Sequence, residues 1–156
     1  MKAVVVIVAT LAMAAAHICM VSPRQRGTLQ GLDKPGAADC IRLSPEPCGG
    51  QKSDGNTAIF KPGVNVSIIF QKNLNHWDQS TPGSFNIAIG DSEEKNFKTI
   101  LSVKDTNSSS LTYYYPNITI PMEETKHAVM QLTYVTKNPK APAVFYQCAD
   151  FAITRE

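Results

Sequence analysis

The sequence has few histidines, little excess charge and none of the short motifs that mark common enzymes. Its 156 residues include three histidines and one tryptophan, and 15 Lys and Arg stand against 13 Asp and Glu. This near balance gives no sign of the clustered positive charge that nucleic acid or an anionic membrane attracts. The chain has no GxSxG, HExxH or phosphate-loop pattern and no CxxC pair. These absences argue against the common hydrolase templates and against a zinc site.

The chain also lacks a sustained helical stripe, and apolar and polar residues alternate instead. In "HAVMQLTYV" every second residue falls on one face, namely Ala128, Met130, Leu132 and Tyr134. Seven or so short runs of this kind follow one another from about Val64, separated by Pro-Gly, Gly-Asp and Asn-Pro turn signals. The pattern predicts an all-β, antiparallel β-sandwich. Residues 17–62, rich in Pro, Gly, Arg and Cys, predict a disulfide-tied N-terminal arm.

Residues 1–16 have the layout of a secretory signal peptide. A lysine at the second position is followed by an apolar core and by three alanines directly before His17. The apolar run is shorter than the roughly 20 residues that cross a membrane. We therefore predict cleavage after Ala16, a secreted, extracellular protein and one domain over residues 17–156. We expect no membrane anchor, because the C-terminal segment is short and polar.

Cysteines and glycosylation motifs both fit an extracellular protein. An even number of cysteines in a secreted chain indicates disulfides, and here there are four: Cys19, Cys40, Cys48 and Cys148. Four cysteines allow three pairings, and their spacing does not choose among them. Three N-x-[ST] motifs predict N-linked glycans at Asn65, Asn107 and Asn117.

Cleavage after Ala16 would make His17 the first residue, which changes its chemistry. Its α-amino nitrogen and its ring Nδ1 can chelate one metal ion together, and the amine has a pKa near about 8. A second imidazole would complete a set of three nitrogens, a donor set that suits Cu(II). Taken alone, a histidine exposed by the accident of cleavage is the simpler interpretation.

The other two histidines differ in their predicted surroundings. His76 lies in a loop that follows a strand, and loops at the ends of a sandwich often carry functional residues. The alternative for His76 is a surface position beside Trp77. His127 begins a strand on its polar face, so we predict that it is exposed and binds no metal.

Asp150 is an acid within an otherwise apolar C-terminal run. A buried carboxylate must be paired, hydrogen-bonded or bound to a metal. Asp150 is therefore a candidate metal ligand, and the alternative is a salt bridge to Arg24 or Arg26. Gln147 and Tyr146 lie beside it in sequence and could support a site there.

Four short motifs, taken together and in order, resemble those of a known copper-binding family. His17 is followed six residues later by a Pro-x-x-Arg-Gly pattern over residues 23–27, and then by Cys48-Gly49-Gly50. His76 and the segment Gln147-Cys148-Ala149-Asp150 complete the series. The chain resembles copper-binding proteins similar in fold to lytic polysaccharide monooxygenases. Their fungal members include copper acquisition factors at the cell surface.

The resemblance implies an immunoglobulin-like or fibronectin-like sandwich that binds copper. It implies a site formed by the amine and ring of His17, by His76 and by Asp150. It also implies copper acquisition or handling rather than polysaccharide oxidation. A carboxylate beside the metal favours Cu(II) and can fill a position that oxygen chemistry needs open. A copper transporter or a cell-surface protein is the expected partner.

The resemblance also implies a disulfide pairing, and the sequence departs from the fungal pattern at three points. The shared positions pair Cys48 with Cys148, which leaves Cys19 with Cys40. The segment around His76 differs from the fungal His-Pro setting, Cys19 and Cys40 are additional, and the anchor tail is missing.

Two other functions compete with copper handling. The first is a copper-dependent monooxygenase that acts on a glycan, although the single tryptophan offers no obvious flat aromatic platform. The second is a secreted lipid-binding sandwich that holds an apolar ligand between its sheets. The lipid-binding hypothesis leaves the ordered His, Arg-Gly, Cys-Gly-Gly and Asp motifs unexplained.

Overall fold

A computed structural model describes residues 17–156, which form ten β-strands and one short 3-10 helix. The predicted signal peptide, residues 1–16, lies outside the described residues. Within the described part, no helix has the length and apolar character to cross a bilayer. The strands are β1 His17–Ser22, β2 Thr57–Phe60, β3 Asn65–Ser67, β4 Ile69–Leu74, β5 Ser84–Gly90, β6 Lys98–Lys104, β7 Thr112–Tyr114, β8 Asn117–Thr119, β9 Thr125–Val135 and β10 Val144–Ile153. The 3-10 helix spans Ala38–Cys40.

Two sheets enclose the main hydrophobic core, which confirms the predicted all-β sandwich. One sheet has the strand order β1-β4-β7 and the other the order β2-β10-β9-β5-β6. The pairs are antiparallel except for β2 with β10, which run parallel. The fully buried core side chains come from both sheets and include Ile18, Met20, Phe70, Phe85, Met130, Leu132, Tyr134, Phe145 and Phe151.

The five-stranded sheet is covered on its outer face as well. Alternation along β9 sends Met130 and Leu132 into the main core, as predicted, whereas Val129 belongs to a second buried cluster with Cys48 and Cys148. Val129, Cys148 and Asp150 on the outer face of β9 and β10 are therefore buried, whereas His127 and Gln131 on the same face stay partly accessible. A polar side chain on that face needs a partner in the segment that covers it.

The N-terminal arm is more regular than we predicted for residues 17–62. Its first six residues form β1, which pairs with β4, and its end forms β2, which pairs with β10. Strands of four and six residues are too short for periodicity to reveal them beside a Pro- and Gly-rich stretch. The part between these two strands is irregular apart from the 3-10 helix, and it covers the sandwich.

Two disulfides fix this arm, with the pairing that the resemblance implied. Cys19 in β1 is joined to Cys40 in the 3-10 helix, and Cys48 is joined to Cys148 in β10. The first bond joins the middle of the arm to β1, the strand with which the arm begins. The second bond crosses 100 residues of sequence and holds the arm against the outer face of the larger sheet.

All three predicted glycosylation sites are exposed. Asn65 in β3 and Asn117 in β8 lie on the same two-stranded ladder, where Ser67 Oγ donates to Asn117 Oδ1 at 2.6 Å. Asn107 lies in an exposed loop before β7. These positions are accessible to a glycan, and glycan attachment stays a prediction.

Removal of the two disulfides should have unequal effects on stability. In the chain-entropy account, a bond that closes 100 residues contributes about 5 kcal/mol and one that closes 21 residues about 3 kcal/mol. We expect Cys48→Ala with Cys148→Ala to lower the free energy of unfolding by more than Cys19→Ala with Cys40→Ala. Guanidinium unfolding of both double variants measures the difference, and equal losses would contradict the prediction.

Candidate metal centre

The ladder between β1 and β4 brings the two predicted histidine ligands to the same end of the smaller sheet. His17 pairs with Leu74, and His76 follows two residues later, about 7 Å of extended chain. Both histidines are buried, with 5% and 8% of their surface exposed. The atoms Nδ1 of His17 and Nε2 of His76 are themselves shielded from solvent. Imidazole nitrogens in such a place suit a nitrogen-coordinated metal ion.

A loop of the arm packs against the ring of His17. The position that a Cβ would take at Gly36 lies 4.0 Å from both Cε1 and Nε2 of His17. Asn73 of β4 holds this loop, because its Oδ1 accepts from Ala37 N–H at 2.8 Å and its Nδ2 donates to Lys34 O at 3.0 Å. Gly36 has a φ of +81°, a conformation that suits glycine. The contacts that fix the conformation of this loop therefore also fix the surroundings of the His17 ring.

Gln147 supports the same end of β1 from the larger sheet. Its Nε2 donates to Ile18 O at 2.8 Å and to Asp39 O at 3.0 Å. Gln147 therefore contacts the residue after His17 and not Asp150, and its role in a site stays a prediction. Tyr146, in contrast, donates its hydroxyl to Glu46.

The loop that carries His76 is pinned on both sides of the residue's main chain. His76 O accepts from Asn138 Nδ2 at 3.0 Å, and the N–H of the preceding Asn75 donates to Ser110 Oγ at 3.0 Å. Asn75 begins the loop with an Asx turn, in which its Oδ1 accepts from Trp77 N–H at 2.9 Å. His76 is thus a buried residue of an ordered loop and not the surface histidine of the alternative interpretation.

The core also contains a buried polar network that the sequence did not reveal. The Tyr134 hydroxyl donates to Asp105 Oδ2, and Lys72 Nζ donates to Asp105 Oδ1 at 2.6 Å. All three residues are fully buried. Burial lowers the pKa of Lys72 against the opposing effect of Asp105, and burial together with the Asp105 carboxylate raises the pKa of Tyr134 far above its usual value.

Asp150 is held in an ion pair with Arg26. Arg26 donates from Nη2 to Asp150 Oδ1 at 2.6 Å and from Nε to Oδ2 at 3.1 Å, and both side chains are almost completely buried. His127 Nε2 lies 2.9 Å from the same Oδ1. Burial alone would raise the pKa of Asp150, but hydrogen bonds from Arg26, His127 and Ser53 outweigh it and hold the pKa below its usual value.

These contacts bear on two expectations from the sequence. Asp150 takes the salt bridge that was its alternative, and Arg26 is the partner, whereas Arg24 faces Asp54 near the surface at 3.7 Å. His127 is not simply exposed, because it packs against Asp150 with about a third of its side chain accessible. Its hydrogen-bond partner is the Asp150 carboxylate. That His127 binds no metal stays a prediction.

The structure does not bring Asp150 together with the two histidine ligands. Asn138, which donates to His76 O, follows the end of β9 at Val135, whereas Asp150 pairs with Val129, six residues before that end, about 20 Å of strand away. Phe145 faces the main core, whereas Asp150 alternates with it and faces the covered outer side of the sheet. Within residues 17–156, no group of three or more His, Cys, Asp or Glu side chains is placed to hold a metal. The ligand role of Asp150 stays a prediction that these contacts do not favour.

Arg26 also links the sequence motifs to one another. Its main-chain N–H donates to Cys148 O at 2.8 Å, and Nη1 donates to Gln51 O at 3.0 Å and to Glu94. The Cys48–Cys148 disulfide lies beside this cluster. Gly49 is required next to it, because a Cβ there would lie 2.3 Å from Arg42 Cβ. The segments 23–27, 48–51 and 147–150 therefore meet in one structural cluster.

Comparison with known families assigns the chain on the basis of its whole described length. A family model described as "Copper acquisition factor BIM1-like" matches residues 15–156. The chain belongs to this family of copper acquisition factor-like domains. The assignment confirms the resemblance found in the sequence and supports copper as the metal. No curated protein matches the sequence at a significant level.

Solved structures with the same fold include lytic polysaccharide monooxygenases. The catalytic domain of one from Listeria monocytogenes has a TM-score of 0.59 at 14% identity, and the match covers 89% of this chain and 100% of that one. One from Jonesia denitrificans gives 0.54 at 11% identity, with coverage of 88% and 100%. A cellulose-active enzyme solved with copper gives 0.52 at 14% identity, with coverage of 87% and 98%. At these identities the likeness shows the fold.

Replacement of Asp150 should be costly for folding. Asp150→Asn leaves the Arg26 charge buried without its main partner, which costs about 3–5 kcal/mol in comparable pairs. The exposed Glu124–Arg155 pair gives a matched control, and Glu124→Gln should cost less than about 1 kcal/mol. Chemical denaturation at pH 7 measures both, and similar small losses would contradict the structural role of Asp150.

The same ion pair should make stability depend on acid pH. The pKa of Asp150 is lower in the folded chain than the unfolded value of about 3.9. Its stabilisation is therefore complete above about pH 4 to 5 and is lost as the pH falls through the lower folded value. We expect the wild-type free energy of unfolding to fall between about pH 5 and pH 2 more steeply than that of Asp150→Asn. Parallel curves for the two proteins would refute this.

Proposed function

We propose that the mature protein binds copper(II) with the amine and ring of His17 and with the ring of His76, and that it handles copper rather than oxidises polysaccharides. The observation that carries the proposal is the placement of both histidines at one end of the β1–β4 ladder, with Nδ1 of His17 and Nε2 of His76 in buried positions. The family assignment supports copper as the ion that these nitrogens take.

The donor set explains why copper fits these residues. The chelating nitrogens of His17 need a free amine, so the proposal includes removal of residues 1–16 outside the cell or during export. A nitrogen-rich set favours Cu(II) over the other divalent ions of the first transition row. In this proposal the chain's own part is to present two imidazoles from an ordered strand and an ordered loop, so that little rearrangement accompanies binding.

Asp150 is left out of the proposed centre. Both of its oxygens are bonded to Arg26, and it lies on the other face of the larger sheet from Tyr134. The argument that a carboxylate beside the metal would block oxygen chemistry therefore no longer applies to Asp150. Copper handling is supported instead by the family to which the chain belongs, and delivery to a copper transporter or a cell-surface protein is the corresponding role.

A second candidate is a copper-dependent monooxygenase that acts on a glycan. It is favoured by the fold that the chain shares with such enzymes and by one surface feature. Tyr113 and Tyr115 are both exposed, with ring centroids 6.4 Å apart and an angle of 26° between the rings. Exposed aromatic faces of this kind can pack against sugar rings. Ascorbate-driven release of oxidised sugars that depends on copper would favour this candidate, and its absence with several glycans would favour copper handling.

Copper binding should depend on a free amine at His17. We expect tight one-to-one Cu(II) binding by protein whose N-terminus is verified as His17. The same protein with one glycine placed before His17 should bind on the order of a hundredfold more weakly, because one chelating donor is lost, about 2.7 kcal/mol. Calorimetry gives the affinities, and electron paramagnetic resonance shows whether nitrogen couplings are lost.

Three variants sharpen this test. His76→Ala should weaken binding and change the spectrum, whereas His127→Ala should leave both unchanged and serves as the matched histidine control. Asp150→Asn, where it folds, should keep the wild-type copper spectrum. Equal, weak binding by the native and extended proteins would sink the proposal and return the lipid-binding alternative to consideration.

A further inference from the structure

One of the three glycosylation motifs lies beside the loop that carries His76. The Oδ1 atom of Asn107 accepts from Asn75 Nδ2 at 3.1 Å, and Asn75 directly precedes His76 in the chain. A second bond joins the same two loops, in which Asn75 N–H donates to Ser110 Oγ at 3.0 Å. The segment that contains the motif is therefore attached to the His76 loop at two points.

The base of this segment is anchored in the core. Asn107 N–H donates to Asp105 Oδ1 at 3.2 Å, and the same oxygen accepts from Lys72 Nζ at 2.6 Å. Asp105 and Lys72 are fully buried. Asn107 itself is exposed and has a φ of +64°, a left-handed conformation that asparagine adopts more readily than most residues. The main chain of Asn107 is thus fixed, while its side chain lies at the surface.

The hydrogen bond between Asn107 and Asn75 is compatible with a glycan on Asn107. An N-linked glycan is attached to the side-chain nitrogen, Nδ2, and the side-chain oxygen keeps its lone pairs. Because the bond to Asn75 uses Oδ1, the glycan and the bond can be present together. A glycan is a bulky group that covers the surface around its attachment point. On Asn107 it would start beside the loop of His76.

The other two glycosylation motifs lie at the opposite end of β4. Asn65 and Asn117 belong to the β3–β8 ladder, in which Ser67 pairs with Asn117. Ser67 lies two positions before β4 begins, and His76 lies two positions after it ends. The six residues of β4, which span about 17 Å, therefore separate the ladder from the His76 loop. Of the three motifs, that of Asn107 is the one beside the proposed copper centre.

We propose that an N-linked glycan on Asn107 limits the access of macromolecular copper acceptors to the centre formed by His17 and His76. The inference rests on the proposed copper site and names a regulation of that site. A copper ion is small enough to pass beside a glycan, whereas a transporter or a cell-surface protein must bring its own surface against the histidines. Steric exclusion by the glycan therefore slows transfer to such an acceptor and leaves the affinity for free copper unchanged.

Removal of this glycan without loss of the bond to Asn75 tests the proposal. Ser109→Ala destroys the motif and keeps the Asn107 side chain. Ser109 is exposed, and its carbonyl rather than its hydroxyl accepts from Thr112 N–H at 3.4 Å, so the substitution should leave the fold intact. We expect Cu(II) to pass from Ser109→Ala to EDTA immobilised on agarose beads several-fold faster than from the wild type. Transfer to free EDTA and the Cu(II) affinity measured by calorimetry should be the same for both proteins.

The matched control removes a different glycan. Thr119→Ala removes the glycan on Asn117 and keeps the one on Asn107, so its transfer rate to the beads should equal that of the wild type. Trimming of the folded wild type with an endoglycosidase leaves one sugar at each motif and should raise the rate as Ser109→Ala does. This treatment replaces that variant if it is not secreted. Mass spectrometry of protein from a glycosylating host verifies the N-terminus and the glycan at each position.

The outcomes separate this inference from the proposed function. If wild-type protein with a verified His17 N-terminus binds no Cu(II), the proposed function fails and the inference fails with it. If the wild type binds Cu(II) tightly but carries no glycan on Asn107, the inference alone is overturned. The inference is also overturned, and the copper site stands, if Ser109→Ala and Thr119→Ala pass Cu(II) to the beads at the same rate.

Discussion

The buried ion pair between Arg26 and Asp150 is the interaction on which the N-terminal arm depends. The guanidinium is bonded to β10 through Asp150, to the arm through Gln51 O and to the loop before β6 through Glu94. The buried guanidinium of Arg26 requires well-placed partners, because each of its N–H donors needs an acceptor. The Cys48–Cys148 disulfide holds the same segments together beside it. The outer face of the larger sheet is therefore closed by charge pairing and covalent linkage as well as by apolar contact.

This cluster also explains what the sequence motifs have in common. The Pro-x-x-Arg-Gly, Cys-Gly-Gly and Gln-Cys-Ala-Asp segments converge on Arg26, although they lie far apart in the chain. They build a scaffold, whereas in the proposed function the metal chemistry falls to His17 and His76 at one end of the smaller sheet. The motifs that carry the family resemblance are thus mostly those that attach the arm. The carboxylate of Asp150, which belongs to one of these motifs, has a structural role in its ion pair with Arg26.

Local pattern predicted much of the fold, and long-range contacts account for what it missed. Alternation in "HAVMQLTYV" placed Met130, Leu132 and Tyr134 correctly in the core, and the sandwich followed from such runs. The burial of Lys72 was not visible, because its partner Asp105 lies 33 residues away in what reads as a polar turn. Asp150 was recognised as an acid that needed a partner, with Arg24 or Arg26 as the alternative to a metal ion, and only the structure selects Arg26. The parallel pairing of β2 with β10 likewise has no local signature.

The distance in sequence between Arg26 and Asp150 has a consequence for how the chain reaches its native state. The two residues are 124 positions apart, and the strand pair β1–β4 must also form across the irregular arm. Contacts between such remote segments form only after a large loss of chain entropy, so folds built on them are slow to assemble. The larger sheet can form from neighbouring strands, whereas closure of the arm requires β10 to be in place. We therefore expect the arm, and with it the environment of His17, to become ordered late in folding.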